Sequence, residues 1–234
     1  MKTMQYLALG DSIATGNLTY WAKTKSYTQY LYELMKKREP NTKIFFTNLA
    51  KNGDTSQNFL YKLHHWPYMQ QKIKISDIIT LSIGGNDIMR SARIPGFYQI
   101  NYPMAKYGCL VFCANWKKII QRLRSLNSHC TIIVNSFYNP YNATSSLHPW
   151  QRMDAGLHEN VQKYIDRMNS FLKTYQDDLY QIAPVHEEFF KYSQGNMGQM
   201  VCLYPNDGFY LFRNPHPTTW GHQKIAQLCA DILW

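Results

Sequence analysis

Apolar positions recur along this chain in two alternating rhythms. Tyr27, Tyr30, Leu31, Leu34 and Met35 follow the i, i+3, i+4, i+7, i+8 spacing of an amphipathic helix, and Pro40 then stops the segment. Trp116, Ile119, Ile120 and Leu123 repeat that spacing, as do Val161, Tyr164, Ile165, Met168 and Leu172. Ile225, Leu228, Cys229 and Ile232 carry it to the C-terminus, and a shorter helix is predicted from Ser56 to Leu63, limited by Pro67. Between the helices lie short apolar runs: MQYLALG, KIFFTNLA, DIITLSIGG, CTIIVNSF and LYQIAPV. Most are continuous rather than alternating, the pattern of strands covered on both faces. Strands that alternate with helices imply a parallel sheet with right-handed crossovers. The predicted fold class is therefore α/β, a three-layer sandwich around a parallel sheet of about five strands. No repeat, low-complexity tract or linker interrupts residues 1–234, which read as a single domain.

Two stretches depart from the alternation. Residues 92–113 (ARIPGFYQINYPMAKYGCLVFC) and 137–150 (FYNPYNATSSLHPW) are rich in Pro, Asn and aromatic residues. Both follow strands, which places them at the carboxyl edge of the sheet, where open α/β sheets bind ligands. They are expected to wall a substrate pocket.

Composition sharpens the picture only in part. The chain carries 18 Tyr, 11 Phe and 6 Trp, and Tyr and Trp suit sites that are apolar on one side and wet on the other. Its 25 Lys and Arg against 15 Asp and Glu give a net charge of +10, which favours contact with an anionic lipid surface. The bases are scattered. Lys36, Lys37 and Arg38 close a helix, and Lys117, Lys118, Arg122 and Arg124 form the solvated side of another. No reader motif accompanies them, so nucleic acid is not an expected partner. Five cysteines, at 109, 113, 130, 202 and 229, are an odd and sparse set that argues against a disulfide framework and for a reducing compartment. No run approaches the ~20 apolar residues that span a bilayer. The first strand starts almost at Met4, so no signal peptide is expected and the chain reads as cytoplasmic; a secreted protein trimmed of its leader reads the same way. No Cys or His cluster completes a metal site.

Four polar motifs fall at strand ends or loops. Gly10-Asp11-Ser12 follows the first strand, Asn52-Gly53 the second and Gly84-Gly85-Asn86-Asp87 the third, while His216-Pro217 opens the final helix. Each alone reads as a cap or turn. Together they supply what acyl transfer needs: a hydroxyl, an imidazole and hydrogen-bond donors for an oxyanion. In this the sequence resembles the SGNH hydrolases, or GDSL esterases and lipases, which carry a Ser, a Gly, an Asn and a His in four such blocks. Ser12, Gly53, Asn86 and His216 match all four in order, with Ile13 where the short family name has Leu. The residues two before and two after Ser12 are Gly10 and Ala14, so this is not the Gly-x-Ser-x-Gly elbow of α/β-hydrolases.

The resemblance implies a flavodoxin-like SGNH fold, Ser12 as nucleophile and His216 as general base. It further implies an oxyanion hole made by the Ser12 and Gly53 backbone N–H groups and the Asn86 amide. Such a Ser-His mechanism requires no metal or organic cofactor. One position departs from the family. Three residues before His216, where an Asp commonly orients the imidazole, stands Arg213, which cannot accept a hydrogen bond. A backbone carbonyl, giving a Ser-His dyad, or Asp207 as third member are the alternatives; impaired catalysis is the third. Asp11 and Asp87 are expected to hold the turns around Ser12 and Asn86. Of the remaining histidines, His64 and His65 read as surface residues, His222 as packing and His186 as a candidate at the carboxyl edge. The expected activity is hydrolysis of carboxylic esters, with lipid or phospholipid acyl esters first and carbohydrate O-acetyl esters or thioesters as alternatives. A non-catalytic ligand-binding member of the fold is the reading from another class.

Overall fold

The computed structural model describes residues 2–16, 25–92, 99–141, 156–194, 196–202 and 215–234. The first strand, β1 (Lys2–Gly10), leads through a single turn, α1 (Ser12–Thr15), and α2 (Tyr27–Arg38) to β2 (Thr42–Asn48). Two helices, α3 (Ser56–His65) and α4 (Pro67–Lys74), return the chain to β3 (Ile78–Ser82). The short α5 (Gly85–Met89) and long α6 (Tyr102–Leu126) lead to β4 (Thr131–Asn135), and α7 (Leu157–Thr174) to β5 (Gln181–Ala183). The last helices are α8 (Val185–Phe190) and α9 (Thr219–Leu233).

All five apolar runs are strands, paired in parallel in the order β2-β1-β3-β4-β5. Every residue of the central β3 is buried, whereas the edge strand β2 begins by alternating buried and exposed positions. The chain steps from β1 to one side and then crosses to β3 on the other. The carboxyl ends of β1 and β3 therefore flank the point where the winding reverses, the place at which loops part and leave a crevice. Right-handed crossovers put α2 on one face and α3, α4, α6 and α7 on the other. The packing agrees, with α9 against α2, and α3 and α7 against α6. Leu7 and Leu9 of β1, Ile79 and Leu81 of β3, Ile133 of β4 and Trp116 of α6 are among the fully buried residues between the layers. Trp116 keeps its polar edge satisfied by donating from Nε1 to the Tyr180 hydroxyl at 3.0 Å.

Three boundaries differ from the sequence reading. Pro67 does not merely limit a helix but opens α4, at the position where a missing N–H has no helical partner to lose. The stretch 92–113 is helical from Tyr102 onward. Asn101 caps that helix by accepting from the Met104 N–H at 3.1 Å, Pro103 sits in its first turn, and Ala105, Cys109 and Phe112 face the core. Pro and Asn there signal a helix start as much as a loop. The final helix begins at Thr219 rather than at His216-Pro217, with the Thr218 hydroxyl accepting from the Gly221 N–H at 3.0 Å.

Candidate active site

The geometry begins where β1 stops. Gly10 has φ +127°, and a Cβ there would lie 2.0 Å from the Ser82 carbonyl oxygen. Only glycine lets the two strand ends come this close. The Asp11 N–H then donates to that same carbonyl at 2.9 Å, and the Asp11 carboxylate caps α1 by accepting from the Ile13 N–H at 3.0 Å. Ser12, half-buried, is thus delivered on the first helical residue beyond the strand.

The Ser12 Oγ lies 2.7 Å from the His216 Nε2. The histidine is held by backbone on both sides. Its carbonyl accepts from the Cys202 N–H at 2.9 Å, the Thr218 N–H donates to the Met200 carbonyl at 2.9 Å, and Val201 and Pro217 form an antiparallel bridge. Tyr138, just past β4, donates its hydroxyl to the Pro215 carbonyl at 2.7 Å and stacks on Phe189 with ring centroids 4.4 Å apart. Burial lowers the His216 pKa to about 4, so at neutral pH the imidazole is uncharged and one ring nitrogen can accept a proton.

The second block is drawn beside the first by backbone. The Leu49 N–H donates to the Ala8 carbonyl and the Lys51 N–H to the Gly10 carbonyl, both at 2.9 Å. The Thr15 hydroxyl hydrogen-bonds the Asn52 side chain, which fixes the turn next to Ser12. Gly53 follows with φ +74°, exposed, and a Cβ there would meet nothing within 4 Å. In the third block Asn86 and Asp87 lie on α5. The Asn86 Nδ2 donates to the Asp54 carbonyl at 2.9 Å. Asp87 accepts from the Ser56 N–H at 2.8 Å and from the Ser56 hydroxyl at 2.6 Å. Burial pushes the Asp11 carboxyl up to about 7, reinforced by the negative charges of Asp87 and Asp54.

The four blocks picked out in the sequence are therefore linked, Ser12 to His216 directly and the second block to both the first and the third. Asp11 holds the turn at Ser12 as expected, whereas the Asp87 carboxylate holds the start of α3 rather than the turn around Asn86. Asp207 and Arg213 lie outside the described residues, as does most of the stretch 137–150. His186 is placed at the start of α8, where its N–H donates to the Ser136 hydroxyl at 2.9 Å and its ring approaches Gln162 and Asp166 of α7. His222 is buried inside α9 and accepts from the Tyr27 N–H at 3.2 Å, while His64 and His65 are exposed at the end of α3. Among the described residues no group of three His, Cys, Asp or Glu side chains could hold a metal ion, and no helix is long and apolar enough to cross a membrane. All five cysteines are free thiols. Sequence reasoning missed Tyr138, Ser56 and Asn115, whose partners are 77, 31 and 59 positions away and leave no local signal.

Residues 8–224 match the model of the GDSL-like Lipase/Acylhydrolase family. The uncharacterized protein YpmR of Bacillus subtilis is 29% identical over 148 residues, 62% of this chain and 56% of that protein. The chain spans about half the length of the curated relatives it matches. Among solved structures, the lipase Lip_vut3 from a goat rumen metagenome superposes with a TM-score of 0.72 at 18% identity, covering 97% of this chain and 96% of that one. The acetylxylan esterase Axe2 of Geobacillus stearothermophilus gives 0.65 at 15% identity, covering 97% and 93%.

Proposed function

Because the chain belongs to the GDSL-like Lipase/Acylhydrolase family, we propose that it is a serine ester hydrolase with Ser12 as its nucleophile and His216 as its general base. The observation that carries this reading is the 2.7 Å contact between Ser12 Oγ and His216 Nε2. The neutral imidazole takes the Ser12 proton as the oxygen attacks the ester carbonyl carbon, and returns it to the leaving alcohol. Water then repeats the sequence on the acyl-enzyme and frees the acid.

Negative charge collects on the carbonyl oxygen in each tetrahedral intermediate. The Ser12 and Gly53 backbone N–H groups and the Asn86 amide are its proposed donors. An amide nitrogen carries two protons. The Asp54 carbonyl holds one of those on Asn86 and thereby orients the other. Each such donor is worth about 2.7–4 kcal/mol of barrier.

Lipid or phospholipid acyl esters are the proposed substrates. Support comes from the apolar side chains Met104, Tyr107 and Leu110, exposed on the early turns of α6, and from the net charge of +10, which suits an anionic lipid surface. Initial rates on p-nitrophenyl esters from acetate to palmitate, with Ser12→Ala alongside, test the reading. Turnover that the substitution abolishes supports the assignment, with a long-chain optimum supporting lipid and a sharp acetate optimum the O-acetyl ester alternative. Absence of turnover, together with no labelling of Ser12 by an organophosphonate, refutes it.

A further inference from the structure

Three hydrogen bonds cross between the segment after Gly53 and the start of α5. The Asn86 Nδ2 donates to the Asp54 carbonyl at 2.9 Å. In the opposite direction, both donors of Ser56 converge on the Asp87 carboxylate, the N–H on Oδ2 at 2.8 Å and the hydroxyl on Oδ1 at 2.6 Å. The Ser56 hydroxyl oxygen accepts in turn from the Asn115 amide of α6 at 3.0 Å. All three residues at the centre of this arrangement, Asp54, Ser56 and Asp87, are buried.

The clasp has a firm backing. Gly108 of α6 is packed so closely that a Cβ on it would lie 1.8 Å from the Asp87 carbonyl oxygen. That contact leaves α5 no room to move towards α6. Ser56 is the first residue of α3, so its N–H has no partner within the helix and is available to Asp87. A buried carboxylate is costly unless hydrogen-bonded. Here two donors from one residue meet its two oxygens, a pairing that fixes orientation as well as distance. Neither bond involves a proposed reacting group, yet they tie the segment that follows Gly53 to the residue that follows Asn86.

We infer that Asp87 is a positioning residue for the oxyanion hole, which with Ser56 sets the separation of the Gly53 N–H from the Asn86 amide. The inference rests on the proposed Ser12 mechanism. Asparagine at position 87 keeps an acceptor for the Ser56 N–H but turns an NH2 towards the Ser56 hydroxyl, so the charge is lost and the hydroxyl can no longer donate to a carboxylate oxygen. Alanine at position 56 removes the hydroxyl bond and keeps the N–H bond. The donors act on charge that develops only during reaction, so their misplacement lowers kcat and leaves KM nearly unchanged.

The experiment measures kcat, KM and Tm for wild type, Asp87→Asn, Ser56→Ala and the double variant on one ester that the wild type hydrolyses. It also measures the affinity of each for a trifluoromethyl ketone with the same acyl chain. In that complex the Ser12 oxygen forms a bond to the ketone carbon, its proton passes to His216, and the carbonyl electron pair becomes an oxyanion. Expected are losses in kcat of about tenfold for Ser56→Ala and about a hundredfold for Asp87→Asn, the lower and upper ends of the scale for a hydrogen bond to a charged group. KM stays within about twofold, ketone affinity falls in parallel with kcat, and the double variant is no worse than Asp87→Asn because both act on one clasp. Folded variants with wild-type kcat, losses that appear only in KM, or effects that multiply in the double variant overturn the inference while the ester-hydrolase reading stands. If Asp87→Asn does not fold, Ser56→Ala decides alone on the same criteria. A wild type that neither turns over esters nor binds the ketone overturns both.

Discussion

A histidine base of ordinary pKa would fail below about pH 6.5, and for His216, the proposed base, burial moves that limit. Burial disfavours the imidazolium, so the pKa falls to about 4 and the neutral, proton-accepting form persists into acid. At pH 5 a histidine of ordinary pKa would be only ~3% neutral, against ~90% for one at about 4, a difference of ~30-fold in competent enzyme. The assay is kcat/KM from pH 3.5 to 8 on an uncharged short-chain ester, with product acid quantified by chromatography so that the readout does not itself titrate. The acid limb is expected near 4, and the fraction of folded protein is followed at each pH by circular dichroism. Asp11, whose carboxyl burial pushes up to about 7, is a neighbour able to add a limb in the range of an ordinary histidine. Asp11→Asn keeps an acceptor for the Ile13 N–H, so the same profile on that variant separates the two groups. A limb at pH 6 or above in folded enzyme, unchanged in Asp11→Asn, would refute the claim that burial sets the basicity of His216.

Three further outcomes are expected. Gly10→Ala drives a methyl group into the Ser82 carbonyl at a φ that side chains rarely adopt; a loss of about 3 kcal/mol or more, read as a Tm drop of roughly 6–12 °C, should accompany loss of activity. A Tm within 2 °C of wild type would show that β1 and β3 can part without cost. Tyr138→Phe removes the hydrogen bond to the Pro215 carbonyl, so stability should fall by about 0.5–1.5 kcal/mol in urea titration, and kcat should fall more than KM changes because the support of His216 loosens. His222 is depressed to about 3 by burial, so between about 6.5 and 3 the unfolded chain binds a proton that the folded chain refuses, and stability falls as pH drops through that window. His222→Gln should therefore lose less Tm than wild type between pH 7 and pH 4; an equal loss would place the acid sensitivity elsewhere.

Strands were legible in this sequence because a doubly covered parallel sheet needs apolar residues on both faces, and the shortness of these runs and their alternation with helical periods set them apart from buried helices. The start of α6 was not, because the residues that begin a helix, Asn101, Tyr102 and Pro103, are also those that fill a loop, and only the burial of Ala105, Cys109 and Phe112 distinguishes the two. Ser12, Gly53, Asn86 and His216 lie where a polar or flexible residue interrupts an apolar pattern, which marks only a cap or turn, and the resemblance to the GDSL hydrolases is what singled them out. What joins them could not be read from the sequence. Ser12 and His216 are 204 positions apart, and Tyr138, Ser56 and Asn115 are common residue types in unremarkable surroundings, with roles created by packing alone.

The strand order explains why the joints take this form. With β1 and β3 adjacent and the winding reversed between them, Ser12 and Asn86 emerge side by side from segments that the chain itself separates by an excursion through β2. The backbone of β1 holds only the start of the loop after β2, through the Leu49 and Lys51 N–H groups, and side chains hold the rest. The Thr15–Asn52 bond holds that loop to the first block, and the Asp54, Ser56 and Asp87 clasp holds it to the third. His216 arrives last and is fastened by Met200–Cys202 and by Tyr138 beyond β4. A site built this way is most sensitive at its fasteners. Substitutions at Ser56, Asp87 and Tyr138 should therefore damage turnover out of proportion to their effect on stability, whereas loss of an equally buried apolar side chain such as Ile133 should do the reverse.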